Sequence, residues 1–206
     1  MSEFEIDFEW PVAAKYGLYF GRIVAVPDVS VRNHRPKAET MERAVKVLVA
    51  GLGSKKTPFQ TVALKVAHAL GSLSGSRGGD GIANWQALAE QLRLMFEGKY
   101  FVHDKEYTWP QPEAQHKGDL GIYLVPAKDN RPVLALRPNN LQQALILYAA
   151  RMIATGTTFN ICENCKTPFL SGGARGRNKR GDSRFCSSEC RWKHHNEARR
   201  KARIGG

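Results

Sequence analysis

Long apolar runs are missing from this 206-residue chain. None approaches the ~20 residues that a membrane-spanning helix needs, so no transmembrane segment is expected. The opening MSEFEIDFEW is acidic, with neither the basic start nor the apolar centre of a secretory signal. A soluble cytoplasmic protein is the expectation. Cysteine is absent from the first 161 residues, which excludes a disulfide framework for the bulk of the chain. The glycine- and serine-rich stretch SLSGSRGGDG (72–81) lacks the Gly-Lys-Ser/Thr ending of a phosphate loop. Acidic residues are few, 19 Asp and Glu against 31 Lys and Arg.

Enough remains for a folded protein. Hydrophobic residues make up 42% and charged residues 24%, a balance that supports a globular core. The length allows one ordinary domain and a small appendage. GLYFGRIVAVP (17–27) reads as one β-branched and aromatic strand stopped by Pro27, and Asp28 to Lys37 as a polar loop. Met41 to Leu52 reads as a helix capped by Thr40, although Val45, Val47 and Val49 also alternate as in a strand. Pro58 to Leu73 is a second helix, capped by Thr57, with Phe59, Val62, Val66 and Leu70 on one stripe. Asn84 to Phe96 is a third, carrying Trp85, Leu88, Leu92 and Met95, with Gly98 past its end. GIYLVP and PVLALRP flank Lys128-Asp129-Asn130 as a hairpin. Asn140 opens a helix striped by Leu141, Leu145, Tyr148 and Met152, and Gly156 terminates it.

This first part, residues 1–157, reads as a mainly helical α+β body with a β-hairpin. It offers little chemistry. His68 reads as a packing or surface histidine, and His34, His103 and His116 have no partner at metal-binding spacing. Trp85 and Trp109 read as core residues.

The remaining residues, 158–206, differ in kind. They hold every cysteine, as Cys162-Glu-Asn-Cys165 and, twenty residues on, Cys186-Ser-Ser-Glu-Cys190. Paired thiolates at this spacing clasp a cation from one turn, and two pairs complete the tetrahedron that zinc accepts. Four sulfurs leave no open position for water, so one structural zinc and no catalysis are expected. Ile161, Pro168 and Phe169 suit a knuckle-bearing hairpin, and Ser187 suits the cap of a helix that begins at Ser188 and carries Cys190. Hairpin plus helix is a treble-clef-like arrangement. His194 and His195 are alternative ligands only if a cysteine is spared. An HNH-type nuclease reading of His194-His195-Asn196 fails for want of metal-binding partners around a hairpin.

Charge follows the same division. From Cys162 onward there are 12 Lys and Arg against 4 Asp and Glu, leaving 19 against 15 before it. Two thirds of the net +12 therefore lies in 45 residues. Arg175, Arg177, Lys179, Arg180 and Arg184 form a glycine-interrupted basic loop between the cysteine pairs. Arg191, Lys193, Arg199, Arg200, Lys201 and Arg203 follow on the helix. Guanidinium groups are planar multi-donor partners for phosphate, and such a patch predicts a polyanionic partner. The bland reading is a solvated charge run.

A helix, then CxxC with a following Phe, a basic glycine-rich stretch and FCSxxCR resembles the CGNR-type zinc fingers found at the C-termini of bacterial proteins. The matching residues are Cys162, Cys165, Phe169, Phe185, Cys186, Ser187, Cys190 and Arg191, and the likeness spans about residues 140–203. The name-giving Cys-Gly-Asn-Arg reads Cys190-Arg191-Trp192-Lys193 here. The resemblance implies a mainly helical body, a small zinc finger, and a nucleic-acid-binding role among stress-induced transcription regulators. The resulting expectation is a DNA-binding regulator and not an enzyme. The alternatives are an RNA-binding or ribosome-associated protein and a protein-interaction adaptor. One finger makes few base contacts, and a homodimer would supply the surface that specific binding needs.

Overall fold

The computed structural model describes residues 5–6, 9–27, 29–54, 57–74, 79–99, 121–126, 132–172 and 183–204. It is mixed helix and sheet. Short strands come first: β1 (Glu5–Ile6), β2 (Trp10–Ala13), β3 (Tyr16–Tyr19), β4 (Arg22–Ala25) and β5 (Val31–His34). Helices α1 (Ala38–Leu52) and α2 (Phe59–Leu70) follow, then β6 (Asp80–Gly81) and α3 (Ile82–Phe96). Strands β7 (Gly121–Pro126) and β8 (Pro132–Arg137) lead into α4 (Leu141–Ala154). Strands β9 (Thr157–Ile161) and β10 (Pro168–Gly172) precede the last helix, α5 (Ser188–Ile204).

The core is made by the apolar stripes of α1 to α4. Met41, Val45, Leu48 and Val49 of α1 meet Ala63, Val66 and Leu70 of α2, Trp85, Leu88 and Leu92 of α3, and Leu141, Leu145 and Tyr148 of α4. The 3.6-residue period wins over the valine alternation in α1: Val45 and Val49 are buried, and Val47 between them is exposed. Trp85 is fully buried, as its place on a stripe predicts. His68 stands on the exposed side of α2, where its Nδ1 accepts from the Tyr16 amide at 3.4 Å.

The N-terminal third departs from the expectation. Residues 17–27 form two strands, because Phe20 and Gly21 both take positive φ (46° and 72°) and turn the chain back on itself. Strand β3 pairs antiparallel with β4, Tyr16 opposite Ala25 and Tyr19 opposite Arg22. The polar segment after Pro27 is not all loop either: β5 pairs with β2, Trp10 opposite His34. An exposed strand has no need of apolar residues, which is why composition concealed it.

Helix starts also shift. Thr40 lies inside α1, whose N-cap is Lys37 with no side-chain cap, and the Lys37 carbonyl accepts from both Thr40 and Met41. Pro58, not Thr57, occupies the cap of α2, and the Thr57 amide donates to Ser54 Oγ at 3.1 Å. Helix α2 stops at Leu70, before Gly71 at φ 95°. Helix α3 starts two residues earlier than expected, directly after β6. Buried Asp80 in β6 closes the loop between α2 and α3: its Oδ2 accepts from the Leu73 amide at 2.6 Å and its Oδ1 from Ser74 at 3.2 Å.

The expected hairpin is present, β7 antiparallel to β8 from Gly121–Arg137 to Pro126–Pro132. Its turn, Lys128 to Asn130, lies outside the described residues, as do His103, His116 and Trp109. Strand β1 adds to β8 in parallel. Asn140 caps α4 as expected, its Oδ1 accepting from the Gln143 amide at 2.8 Å while Gln143 Oε1 accepts from Asn139. Past Gly156 (φ 84°) the chain enters β9 at once. The connector TGTTFNI is therefore mostly strand.

Removing the Asp80 carboxylate leaves two amides without their acceptor, a loss of about 2–4 kcal/mol in unfolding free energy. Urea denaturation of Asp80→Ala, followed by tryptophan fluorescence, measures this; Asp80→Asn, which keeps one acceptor, should lose less.

Candidate metal centre

Strand β9 pairs antiparallel with β10, Ile161 opposite Pro168 and Thr157 opposite Gly172. The hairpin rests on the body: Phe159 and Leu170 pack against the core, and a Cβ on Gly53, just past α1, would lie 2.4 Å from Pro168 Cδ. Its turn is a tight knuckle. The Lys166 amide donates to the Cys162 carbonyl at 2.9 Å, the Cys162 amide donates to the Thr167 carbonyl at 3.1 Å, and Lys166 takes φ 59°. The backbone therefore curls around the Cys162 and Cys165 side chains.

The second pair arrives on the start of α5. Ser187 Oγ accepts from the Cys190 amide at 3.1 Å, the cap expected from sequence. The Glu163 amide donates to the Arg184 carbonyl at 3.0 Å, tying the knuckle to the segment before α5. The Glu163 carboxylate also takes both arms of the Arg184 guanidinium, Nη2 to Oε2 at 2.5 Å.

All four sulfurs fall within 4.8 Å of one another. Cys165 Sγ lies 3.6 Å from Cys186 Sγ, which lies 3.5 Å from Cys190 Sγ. No pair is bonded, and all four are free cysteines. A tetrahedron of sulfurs at ~2.3 Å from a zinc ion has edges of ~3.8 Å, and the two separations at Cys186 lie within a few tenths of an ångström of that. Cys162, Cys165, Cys186 and Cys190 thus form a group able to hold a metal ion, and zinc fits the donor set. Neither His194 nor His195 belongs to the group. His194 packs on Phe185 with ring centroids 5.1 Å apart, its Nε2 4.0 Å from the Glu163 carboxylate.

The local electrostatics favour thiolate on three of the four. Burial raises the Cys162 thiol, but amides of Cys165, Cys186 and Asn164 donate to it and hold it below the ordinary value. Burial likewise opposes ionisation of Cys165 and is outweighed by the Thr167 hydroxyl and amide. The Ser187 hydroxyl lowers Cys190. Cys186 goes the other way: burial, then the hydrogen-bonded sulfurs around it, push it up to about 12. Burial and the neighbouring sulfurs thus favour the neutral thiol on Cys186, and a bound cation would favour its thiolate instead.

Helix α5 has almost nothing else to hold it. Arg191, Trp192, Lys193, His195, Arg199 and Arg200 are exposed. Lys193 pairs with Glu189 at 2.6 Å and Arg184 with Glu163. Arg191, Arg199 and Arg200 have no acidic partner among the described residues. Lys201 and Arg203 continue the helix. Arg175, Arg177, Lys179 and Arg180 lie outside the described residues. Beside the start of α5 opens a cleft of about 600 Å³, lined by Ser183, Arg184, Phe185, Ser187, Ser188, Arg191 and His195. Sequence reasoning missed Glu163 and Thr167 here. The signal for Glu163 was an acid between two ligands in an otherwise basic module. Thr167 gave none.

No helix among the described residues is long and apolar enough to cross a membrane. No family model matches the chain, and no curated protein or solved structure matches it.

Two outcomes follow for the centre. Cys186→Ser should lose the metal and the helicity of α5 while the body keeps its fold, read by elemental analysis and circular dichroism; full metal content in that variant would transfer the ligand role to a histidine. Metal uptake should also release protons, so lowering the pH from ~8 to ~6 should weaken it, as a chromogenic chelator competition would report.

Proposed function

We propose that this chain is a nucleic-acid-binding protein whose C-terminal module is a zinc finger of the CGNR type, treble-clef-like, acting on DNA as a bacterial transcription regulator in the cytoplasm. The observation that carries the reading is the exposed start and middle of α5, where Arg191, Arg199 and Arg200 have no acidic partner among the described residues, mounted on a cluster of four cysteines. A sulfur-saturated zinc would supply rigidity and no activated water, so the module binds and does not cut. Phosphate oxygens would meet those guanidinium groups, and the cleft beside the start of the helix is wide enough for a phosphate and part of its sugar. Arg184 and Lys193, already paired with Glu163 and Glu189, would contribute less. The basic loop of Arg175, Arg177, Lys179 and Arg180 would add contacts. A homodimer would double the contact surface, with the body as its self-association or ligand-sensing part.

Anisotropy titrations of zinc-loaded protein at several salt concentrations, on duplex DNA and on structured RNA of equal charge, test this. Each phosphate contact adds ~0.9 to the slope of log affinity against log salt. Arg191→Ala, Arg199→Ala and Arg200→Ala together should lower that slope by about 2–3 and leave the zinc in place. The four-residue change in the basic loop should do the same without altering sequence preference. Tighter binding to RNA would favour the RNA-binding reading, and an unchanged slope would reduce the basic face to solvated charge. Incubation with magnesium or zinc should produce no cleavage.

A further inference from the structure

Successive residues of an α-helix are turned by about 100°, which sorts the side chains of α5 into two sides. Ser188, Arg191, Trp192, His195 and Arg199 fall together on one of them, the front, and all five are exposed. The other side carries Cys190, a member of the sulfur cluster, and His194, which packs on Phe185. Both acids of the helix, Glu189 and Glu197, also lie off the front. The cleft beside α5 marks the same division, since Ser188, Arg191 and His195 are the residues of the helix that line it.

The front is therefore cationic, free of acids and open. Its centre differs from its edge. Trp192 is the one large apolar residue there, 64% exposed, with Ser188 one turn before it and His195 one turn after. Arg191 stands at an edge of the front. Arg199 stands two turns beyond Trp192, where a straight helix leaves a curving groove and meets the backbone.

Shape and chemistry then select one kind of surface. A helix with its side chains is about 10–12 Å across, and the major groove of duplex DNA is about 12 Å wide. Entry requires a helix with a free side, and among the described residues no other helix or strand packs along α5. In such a seat the edges of the front meet phosphates and its centre meets base edges. Base contacts come from the first turns of the entering helix, and Trp192 is the fifth residue of α5. Paired bases present no face for an indole to stack on. The apolar feature that they display in the major groove is the 5-methyl group of thymine.

We infer that Trp192 determines sequence specificity in the DNA binding proposed above, a reading on which this inference rests. The front of α5 enters the major groove, the indole packs on the 5-methyl group of a thymine, and Arg191 and Arg199 hold the flanking phosphates.

The test uses full-length, zinc-loaded protein and two pools of random-sequence DNA duplexes, one made with thymine and one with deoxyuridine in its place. The pools carry equal charge and differ by the methyl group alone. Wild type should bind the thymine pool about four-fold more tightly, the effect of burying one methyl group. Trp192→Ala should bind both pools alike, with zinc content, helicity and salt slope unchanged. Trp192→Phe, which keeps an apolar ring, should retain part of the preference. Equal binding of the two pools by wild type overturns this inference and leaves the proposed function standing, as does a thymine preference that survives Trp192→Ala. Loss of zinc or helicity in Trp192→Ala makes the indole a structural residue and overturns the inference too. Failure of wild type to bind either pool overturns both.

Discussion

Four sulfur atoms within 4.8 Å of one another are the constraint on which the C-terminal part of this protein depends. Gathering four ionisable sulfurs is costly, and burial together with the surrounding sulfurs pushes the Cys186 thiol up. A single divalent cation would offset that cost by neutralising charge and fixing direction. Little else could. Helix α5 is 17 residues long, and Arg191, Trp192, Lys193, Arg199 and Arg200 stand in solvent; a helix of that length with so little buried is marginal in water. The Ser187 cap, the Phe185–His194 contact and the Glu163–Arg184 pair orient the helix. At exposed positions, such contacts are weak.

The body is organised by a different force. Its four helices turn their apolar stripes inward, and the 3.6-residue period of those stripes made them readable in the sequence. Trp85, Leu88 and Leu92 are examples, each essentially without exposure. Asn140 and Gly156 were readable because each does a job that few residues can do, capping and left-handed termination. Residues 17–27 were readable as strand, but the turn that divides them into β3 and β4 and the strand β5 were not, and the reason is physical. The turn uses Phe20 where a turn residue belongs, and β5 is an exposed strand of Val31, Arg32, Asn33 and His34. Parallel pairing of β1 with β8 joins residues some 130 apart, and no local pattern records it. The caps of α1 and α2 were misplaced for a related reason: a backbone carbonyl at Lys37 and a proline at Pro58 occupy positions where a hydroxyl was expected.

The cysteine cluster lies between these cases. Spacing alone identified Cys162, Cys165, Cys186 and Cys190, because two short loops can deliver four sulfurs to one point only in a few ways. Spacing could not identify Glu163 and Thr167, whose roles depend on where the chain returns after an intervening stretch. The basic residues divide similarly. Their number was plain from composition, whereas the ion pairs that occupy Arg184 and Lys193 needed three dimensions.

The seating of the β9–β10 hairpin on the body has a consequence for how a metal would come and go. Phe159, Leu170 and the Gly53–Pro168 contact belong to the same packed unit as α1 and α4, so Cys162 and Cys165 are in position before any ion arrives. Cys162 is buried, Cys186 and Cys190 are half-buried, and Cys165 is exposed. The two halves of the centre are therefore unequally supported. An entering ion would find the Cys162–Cys165 clasp held by the body, whereas the helix that carries Cys190 would rely mainly on the ion itself. A chelator would reach a bound ion past the exposed Cys165, and the hairpin would remain behind as a template for reloading.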